Sequence, residues 1–261
     1  MGDVMYRFLL RPRWILGHLL LIVTVVAFVN LGFWQLRRLD ERRDHNALVT
    51  ARLADAAQPL DAVVAVAGDG DAIAFRRAGV EGTYVPDEQI LTGPRTFEGQ
   101  PGQQVLSVLE RDNGPAVLVD RGWILYDSRA PQVPPAPAGR VHVDGVVRLR
   151  EPGPSGDAAQ VAQIVPSQIG ERVGRPLAPF YLQLQSQEPP AGPDGPQPTP
   201  LPELTEGSHR SYAVQWFSFA LIALIGYPLL LWRAARDDDV TSNGPQDGGG
   251  RGVTVGSAVG R

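Results

Sequence analysis

The chain contains no cysteine. This excludes structural disulfides, thiol catalysis and cysteine-ligated zinc or iron–sulfur sites. It also contains no lysine, so all 24 basic residues are arginine. Schiff-base chemistry and a Ser–Lys dyad are therefore out of reach. Histidine is scarce: His18, His45, His142 and His209 are the 4 in 261 residues, and no two stand at metal-ligand spacing. No Gly-x-Ser-x-Gly elbow is present. Gly68, Gly70 and Gly79 lack the strand–turn–helix setting of a dinucleotide fold. A formal net charge of −4 gives no footprint for nucleic acid. What remains for an enzyme is thin, and the sequence points away from catalysis.

Two long apolar runs are present. Trp14 to Leu36 carries no charged residue, and Tyr212 to Trp232 is similar. At about 1.5 Å per residue, each crosses a hydrocarbon layer of roughly 30 Å. Trp14, Trp34, Tyr212, Trp216, Tyr227 and Trp232 stand toward the ends, where amphipathic rings prefer to sit. The first run exceeds the usual signal-peptide core and lacks a clear Ala-x-Ala site, which favours an anchor. The second has terminal aromatics and a Gly-rich tail behind it, which disfavours a buried core helix. Two spans put both ends of the chain on one side. Arginine counting does not choose the side. Arg7, Arg11, Arg13, Arg233 and Arg236 flank the outer ends, and Arg37, Arg38, Arg42, Arg43 and Arg210 flank the inner ones.

Between the spans the grammar changes. Mixed charge from Arg37 to Asp44 predicts a solvated helical stem. Ala62 to Asp71 reads as a loop with Gly68 and Gly70. Strands are predicted near Ala74–Val85, Gln89–Thr92, Gln103–Glu110, Ala116–Val119, Arg140–Leu149 and Phe180–Gln185. Asp112-Asn113-Gly114-Pro115 is a hairpin turn. Asp127 to Gly139 is a proline-rich surface loop, and Ser167 to Val173 a short helix capped by Ser167. Glu188 to Pro202 reads as a semi-rigid linker. The tail from Asp237 to Arg261 reads as disordered.

His209 stands at the mouth of the second span. On a helix, His209, Tyr212, Ala213 and Trp216 share a stripe. A ring nitrogen at a membrane boundary, with aromatics below it, suits a flat ligand; it equally suits a helix anchor. His18 lies inside the first span, where an ionisable group is either functional or a neutral imidazole bonded to a neighbour. Three clusters pair glycine with a large or charged group: Gly82-Thr83-Tyr84, Gly93-Pro94-Arg95 and Asp120-Arg121-Gly122-Trp123. Read as structure, the glycines mark bulges or turns, Trp123 is core and the arginines neutralise turn carbonyls or acids. Read as function, Arg95 and Arg121 offer planar forks to carboxylates.

Leu31-Gly32-Phe33-Trp34-Gln35-Leu36-Arg37-Arg38, the glycine clusters and His209 to Phe217 come in a familiar order. Together they resemble the Surfeit-locus-one (Shy-one) family of cytochrome c oxidase assembly factors, over about residues 10 to 235. The stem lacks an expected lysine, Arg150 to Phe180 matches loosely, and the Gly-rich tail has no counterpart. The resemblance implies an α+β membrane protein, a two-helix hairpin bracketing a β-rich extracytoplasmic domain. Its divisions are a cytoplasmic N-terminus (1–13), a first span (14–36), a helical stem (37–60), the β-rich domain (61–187), a proline-rich linker (188–210), a second span (211–232) and a disordered cytoplasmic tail (233–261). It implies assistance in haem a insertion into oxidase subunit I of an aa3-type enzyme in the cell membrane, as a chaperone with no bond made or broken. Implied partners are subunit I, other oxidase or respiratory supercomplex subunits and membrane lipid. Haem a, held transiently, would take His209 as its iron ligand, Trp216, Tyr212 and Trp34 on the ring, and Arg210 or Arg37, with Arg38, on the propionates. The alternative is a haem-independent scaffold that stabilises an oxidase intermediate or stays with the mature complex. A membrane-tethered extracytoplasmic enzyme is a distant third.

Overall fold

An uncharged, mostly apolar run, followed by charges at helical spacing, makes one long helix: α1 spans Pro12–Ala54. The computed structural model describes residues 10–68, 70–97, 99–126, 133–149 and 163–242. It divides the chain into two compact units, Asp44–Thr205 and the paired segments Met1–Arg43 with Glu206–Arg261. The predicted stem is helical to Ala54. The second apolar run lies in α4, His209–Ser242, with Pro228 inside it. The predicted unstructured tail therefore begins, at Asp237, within helical backbone; residues 243–261 lie outside the described residues.

Among its described residues, the Asp44–Thr205 unit holds seven strands and two short helices besides the end of α1. In order they are β1 (Gln58–Pro59), α2 (Leu60–Ala67), β2 (Arg77–Leu91), β3 (Arg95–Phe97), β4 (Gln100–Glu110), β5 (Ala116–Leu125), β6 (Arg140–Arg148), α3 (Pro166–Val173) and β7 (Leu177–Glu188). The sheet order is β1-β2-β6-β7-β5-β4-β3, and β2 also pairs with β4. That extra pairing closes β2, β6, β7, β5 and β4 into a five-stranded barrel. β5 and β7 run parallel, and the other barrel neighbours run antiparallel. This is the class of small Greek-key barrels that includes the OB fold. The fold is thus α+β with a mixed sheet.

Closure depends on β2. It pairs with β6 through Arg77–Thr83 and with β4 from Thr83 onward. The two strands predicted at 74–85 and 89–92 are one bent strand, and its register shifts between Tyr84 and Gln89. Pro86 falls in that shift, the kind of position that tolerates a missing N–H. Gly82 sits at the corner, where a Cβ would lie 2.2 Å from the Glu110 carbonyl oxygen.

Alternation sorts the two sides of the barrel wall. One core takes Ala78, Val80, Tyr84, Leu109, Val117, Val119, Val141, Val143, Phe180 and Leu182 from all five strands. Leu60, Val63 and Ile73 close it off. The other side carries Leu106, Val108, Leu118 and Tyr181, packed with Ile164 and with Ile169 of α3.

Three expectations fail here. Residues 62–71 are not all loop, because Leu60, Val63, Val64 and Ala67 form a helical stripe that packs on the core as α2. α3 starts at Pro166, whose fixed φ suits a first helical position, and Ser167 does not cap it. The 188–202 segment is more than the semi-rigid linker expected. Gln197 exchanges backbone hydrogen bonds with Trp123, at 2.7 and 2.8 Å, and the Gln183 amide donates to the Thr199 and Pro200 carbonyls. The proline-rich 127–139 loop is described only from 133, and it is without strand there.

Candidate functional site

The paired segments contain two helices long and apolar enough to cross a membrane. They run antiparallel, and contacts advance along one as they retreat along the other. His18 meets Tyr227, Phe28 meets Trp216, and Gln35 meets His209. Phe28, Gly32, Gln35 and Leu39 make one seam; His209, Ala213, Trp216 and Ala220 make the other. Both repeat at i, i+4, i+7, i+11, the spacing of a helix–helix contact stripe. Small residues let the backbones approach, as is usual between membrane helices. A Cβ on Gly32 would lie 2.6 Å from the Phe217 ring, and one on Gly17 2.9 Å from the Tyr227 hydroxyl. Phe217 has little room to yield, since it packs edge-on against Phe33 at 5.4 Å. Gly32→Leu is therefore expected to weaken the helix pair by about 1–3 kcal/mol, the usual cost of overpacking. Single cysteines at Phe28 and Trp216, joined by a short bis-maleimide, report this once the chain is cleaved between the helices. Gly32→Leu lowers the fraction of fragments held together.

Two polar side chains within the spans hydrogen-bond along their own helix. Asn30 donates to the Val26 carbonyl and Ser218 to the Val214 carbonyl. His18 bonds the Tyr227 hydroxyl at 2.8 Å, so the neighbour-bonded reading of His18 holds.

His209 is the first residue of α4. Its Nδ1 lies 2.8 Å from Gln35 Oε1, and Gln35 is 8% exposed. An amide oxygen only accepts, so this bond calls for the tautomer with its proton on Nδ1. Nε2 is then the nitrogen with the free lone pair, the tautomer that ligates metals. The approach to α4 is held by Arg43, whose Nε and Nη2 donate to the two Glu206 oxygens at 2.8 and 3.0 Å. Hydrogen bonding to Arg43 holds the Glu206 carboxyl below its ordinary range, with Arg210 adding to the effect. The clamp is thus present above the ordinary carboxylate range and is lost as pH falls through the depressed value.

The other predicted site residues are spread out. Trp216 is about two helical turns from His209 and packs against Phe28 and Phe219, with ring centroids at 5.6 and 5.9 Å. Trp34 and Tyr212 are 46% and 47% exposed. No ring contact joins Trp34, Tyr212 and Trp216 among the described residues. Tyr212 lies off the predicted stripe, and Ala213 and Trp216 hold the seam. Arg37 and Arg210 are exposed and make no ion pair among the described residues. Gln35 was missed as a site residue, although its place on the 28–32–35–39 stripe was readable.

In the Asp44–Thr205 unit, His45 packs edge-on to Phe75 and His142 lies 3.5 Å from Asp144 on an exposed strand face. Trp123 is not core; it stacks on Phe97 at 5.3 Å. Arg121 is buried and donates to loop carbonyls, as the structural reading expected. No group of three metal-binding side chains occurs among the described residues.

The SURF1 family model matches residues 22–221, from within α1 to within α4. The chain belongs to the SURF1 family. An uncharacterized SURF1-like protein of Mycobacterium bovis is 32% identical over 230 residues, covering 84% of this chain and 83% of the relative. A SURF1-like protein of Monosiga brevicollis is 29% identical over 230 residues, 78% of this chain and 83% of the relative. One from Rickettsia felis is 28% identical over 108 residues, 41% of this chain and 45% of its own length. SURF1 proteins are known in general as cytochrome oxidase assembly factors. The SURF1 match takes in Gln35, His209 and both seams, together with the whole barrel.

Proposed function

We propose that the chain assists assembly of an aa3-type cytochrome c oxidase by holding haem a for insertion into subunit I, with His209 as its ligand. Haem a is cargo in this reading, and the protein makes and breaks no covalent bond. The observation that carries it is the Gln35–His209 contact, which suits the Nδ1–H tautomer and so favours Nε2 as a lone-pair donor. His209 would supply one iron ligand, on an open surface. Trp34 and Tyr212 are exposed enough to lie against a flat ring, and Arg37 and Arg210 are free to pair with propionates. Trp216 acts one layer deeper, keeping the helices together. In this reading the barrel is extracytoplasmic, both termini are cytoplasmic, and the partners are subunit I and other oxidase or supercomplex subunits.

Purification from a haem-a-making host tests the ligand. Wild type is expected to carry haem and His209→Ala none. Gln35→Leu, which removes the acceptor that orients the imidazole, is expected to lower haem affinity by about 10–100-fold. Haem-free protein from both wild type and His209→Ala, each fully folded, would sink the carrier reading. One observation favours the scaffold reading instead: the Gln35–His209 pair ends a packed seam, and a polar clamp at a helix end can serve packing alone. A scaffold keeps its assembly function in His209→Ala.

A further inference from the structure

Arg121 is a charged side chain that the oxidase reading leaves unused. It follows Val117 and Val119 along the core-facing side of β5 and is only 2% exposed. A guanidinium removed from water needs an anion or a full set of acceptors. Arg121 has neither among the described residues. Nη1 donates to the Pro134 carbonyl at 3.2 Å and Nη2 to the Pro135 carbonyl at 3.0 Å. Nε is buried without an acceptor. The Tyr84 ring lies 5.7 Å from Cζ, and its hydroxyl is committed to Gln187 Oε1. Asp120 is adjacent in sequence but projects to the other side of the strand. There it accepts from the Gln104 amide and the Gly122 N–H.

Arg121 also borders open space. It lines a cleft of about 260 Å³ with Ser186, Gln187, Pro190, Pro196 and Pro198. One side of this cleft is the proline-rich strap that Trp123 pins through Gln197. We propose that the cleft binds a carboxylate, with Arg121 as the ion-pair partner and Ser186 and Gln187 as neutral donors beside it. One guanidinium supplies one positive charge, and no second base lines the space among the described residues. That favours a singly charged planar group over a phosphate. The carboxylate is that of a small free acid or of an acidic side chain or chain end of a partner polypeptide. The proposal is independent of the haem reading.

The test uses the full-length protein in detergent micelles. The thermal unfolding midpoint is followed against sodium acetate, with sodium chloride at matched ionic strength as control. A short peptide with a free C-terminal carboxylate is compared with its amide. A ligand that binds only the folded state raises the midpoint with concentration. Acetate is expected to do so in wild type, and chloride is not. Arg121→Gln is expected to lose the acetate increment. Ser186→Phe, which blocks the cleft and leaves both carbonyl bonds of Arg121 in place, is expected to lose it as well. If Arg121→Gln does not fold, Ser186→Phe decides alone. A free-carboxylate peptide that outperforms both acetate and its amide identifies the source as a polypeptide; parity with acetate identifies a small acid. No acetate increment in wild type, or an equal increment in Ser186→Phe, overturns the proposal.

Discussion

Gly82→Ala lowers the unfolding midpoint of the barrel by roughly 6–12 °C, following about 3 kcal/mol of lost stability. The new Cβ would stand 2.2 Å from the Glu110 carbonyl oxygen and 2.9 Å from the Leu109 side chain. A side chain can rotate away, but a strand carbonyl cannot move without breaking its ladder. Thr83 pairs with Glu110 and Gly82 with Val141, so the clash falls where β2 passes from β6 to β4. Glycine at such a corner lets two backbones approach at a tight bend. The barrel opens along the β2–β4 seam if that contact is lost. Circular dichroism of wild type and variant, melted in the same micelles, measures the shift. An unchanged midpoint would mean that β2 does not carry closure.

The second large effect falls on Gly122. Its φ is 124°, and a Cβ there would lie 2.1 Å from the Gln197 carbonyl oxygen. Gly122→Ala therefore meets backbone strain of about 1–3 kcal/mol as well as a clash with the strap. The cheapest relief is to release Gln197 from Trp123. The expected result is local, with the barrel intact and the strap detached. Amide exchange at Trp123 and Gln197 quickens by roughly 100-fold, the factor that about 2.7 kcal/mol of local opening represents. Exchange at Val119 and Val143, deep in the core, changes little. Equal acceleration at all four amides would mean that the strap and the barrel open as one.

These two glycines show what was legible in the sequence. Both lie in clusters that stood out as glycine beside a large or charged residue; the expected bulge is found at Gly122, while Gly82 sits in regular pairing at a close backbone approach. The reason for each was not readable, because Glu110 and Gln197 are distant in sequence. Strand identity was readable from branched residues, and the turn at Asn113-Gly114 from its φ demand. The closed barrel was not, since it depends on β2 pairing twice and on parallel β5 and β7. α2 was missed because alanine and glycine drew attention from the Leu60–Val63–Val64–Ala67 stripe. The linker was misread because proline content says nothing about a bridge to Trp123. At the candidate site, position singled out His209, and the stripe did carry Ala213 and Trp216 into the seam. The sequence alone could not show that Phe28 occupies Trp216, or that Gln35 is the residue that meets His209 Nδ1.

In the proposed reading, this SURF1 family member serves oxidase assembly through His209. The most direct measurement is the reduced-minus-oxidised spectrum of membranes from a strain lacking the protein, complemented with wild type or with His209→Ala. A depleted haem a signal is expected in the deletion strain, with restoration by wild type and none by a His209→Ala protein that accumulates normally. A normal haem a signal in the uncomplemented deletion strain would contradict it.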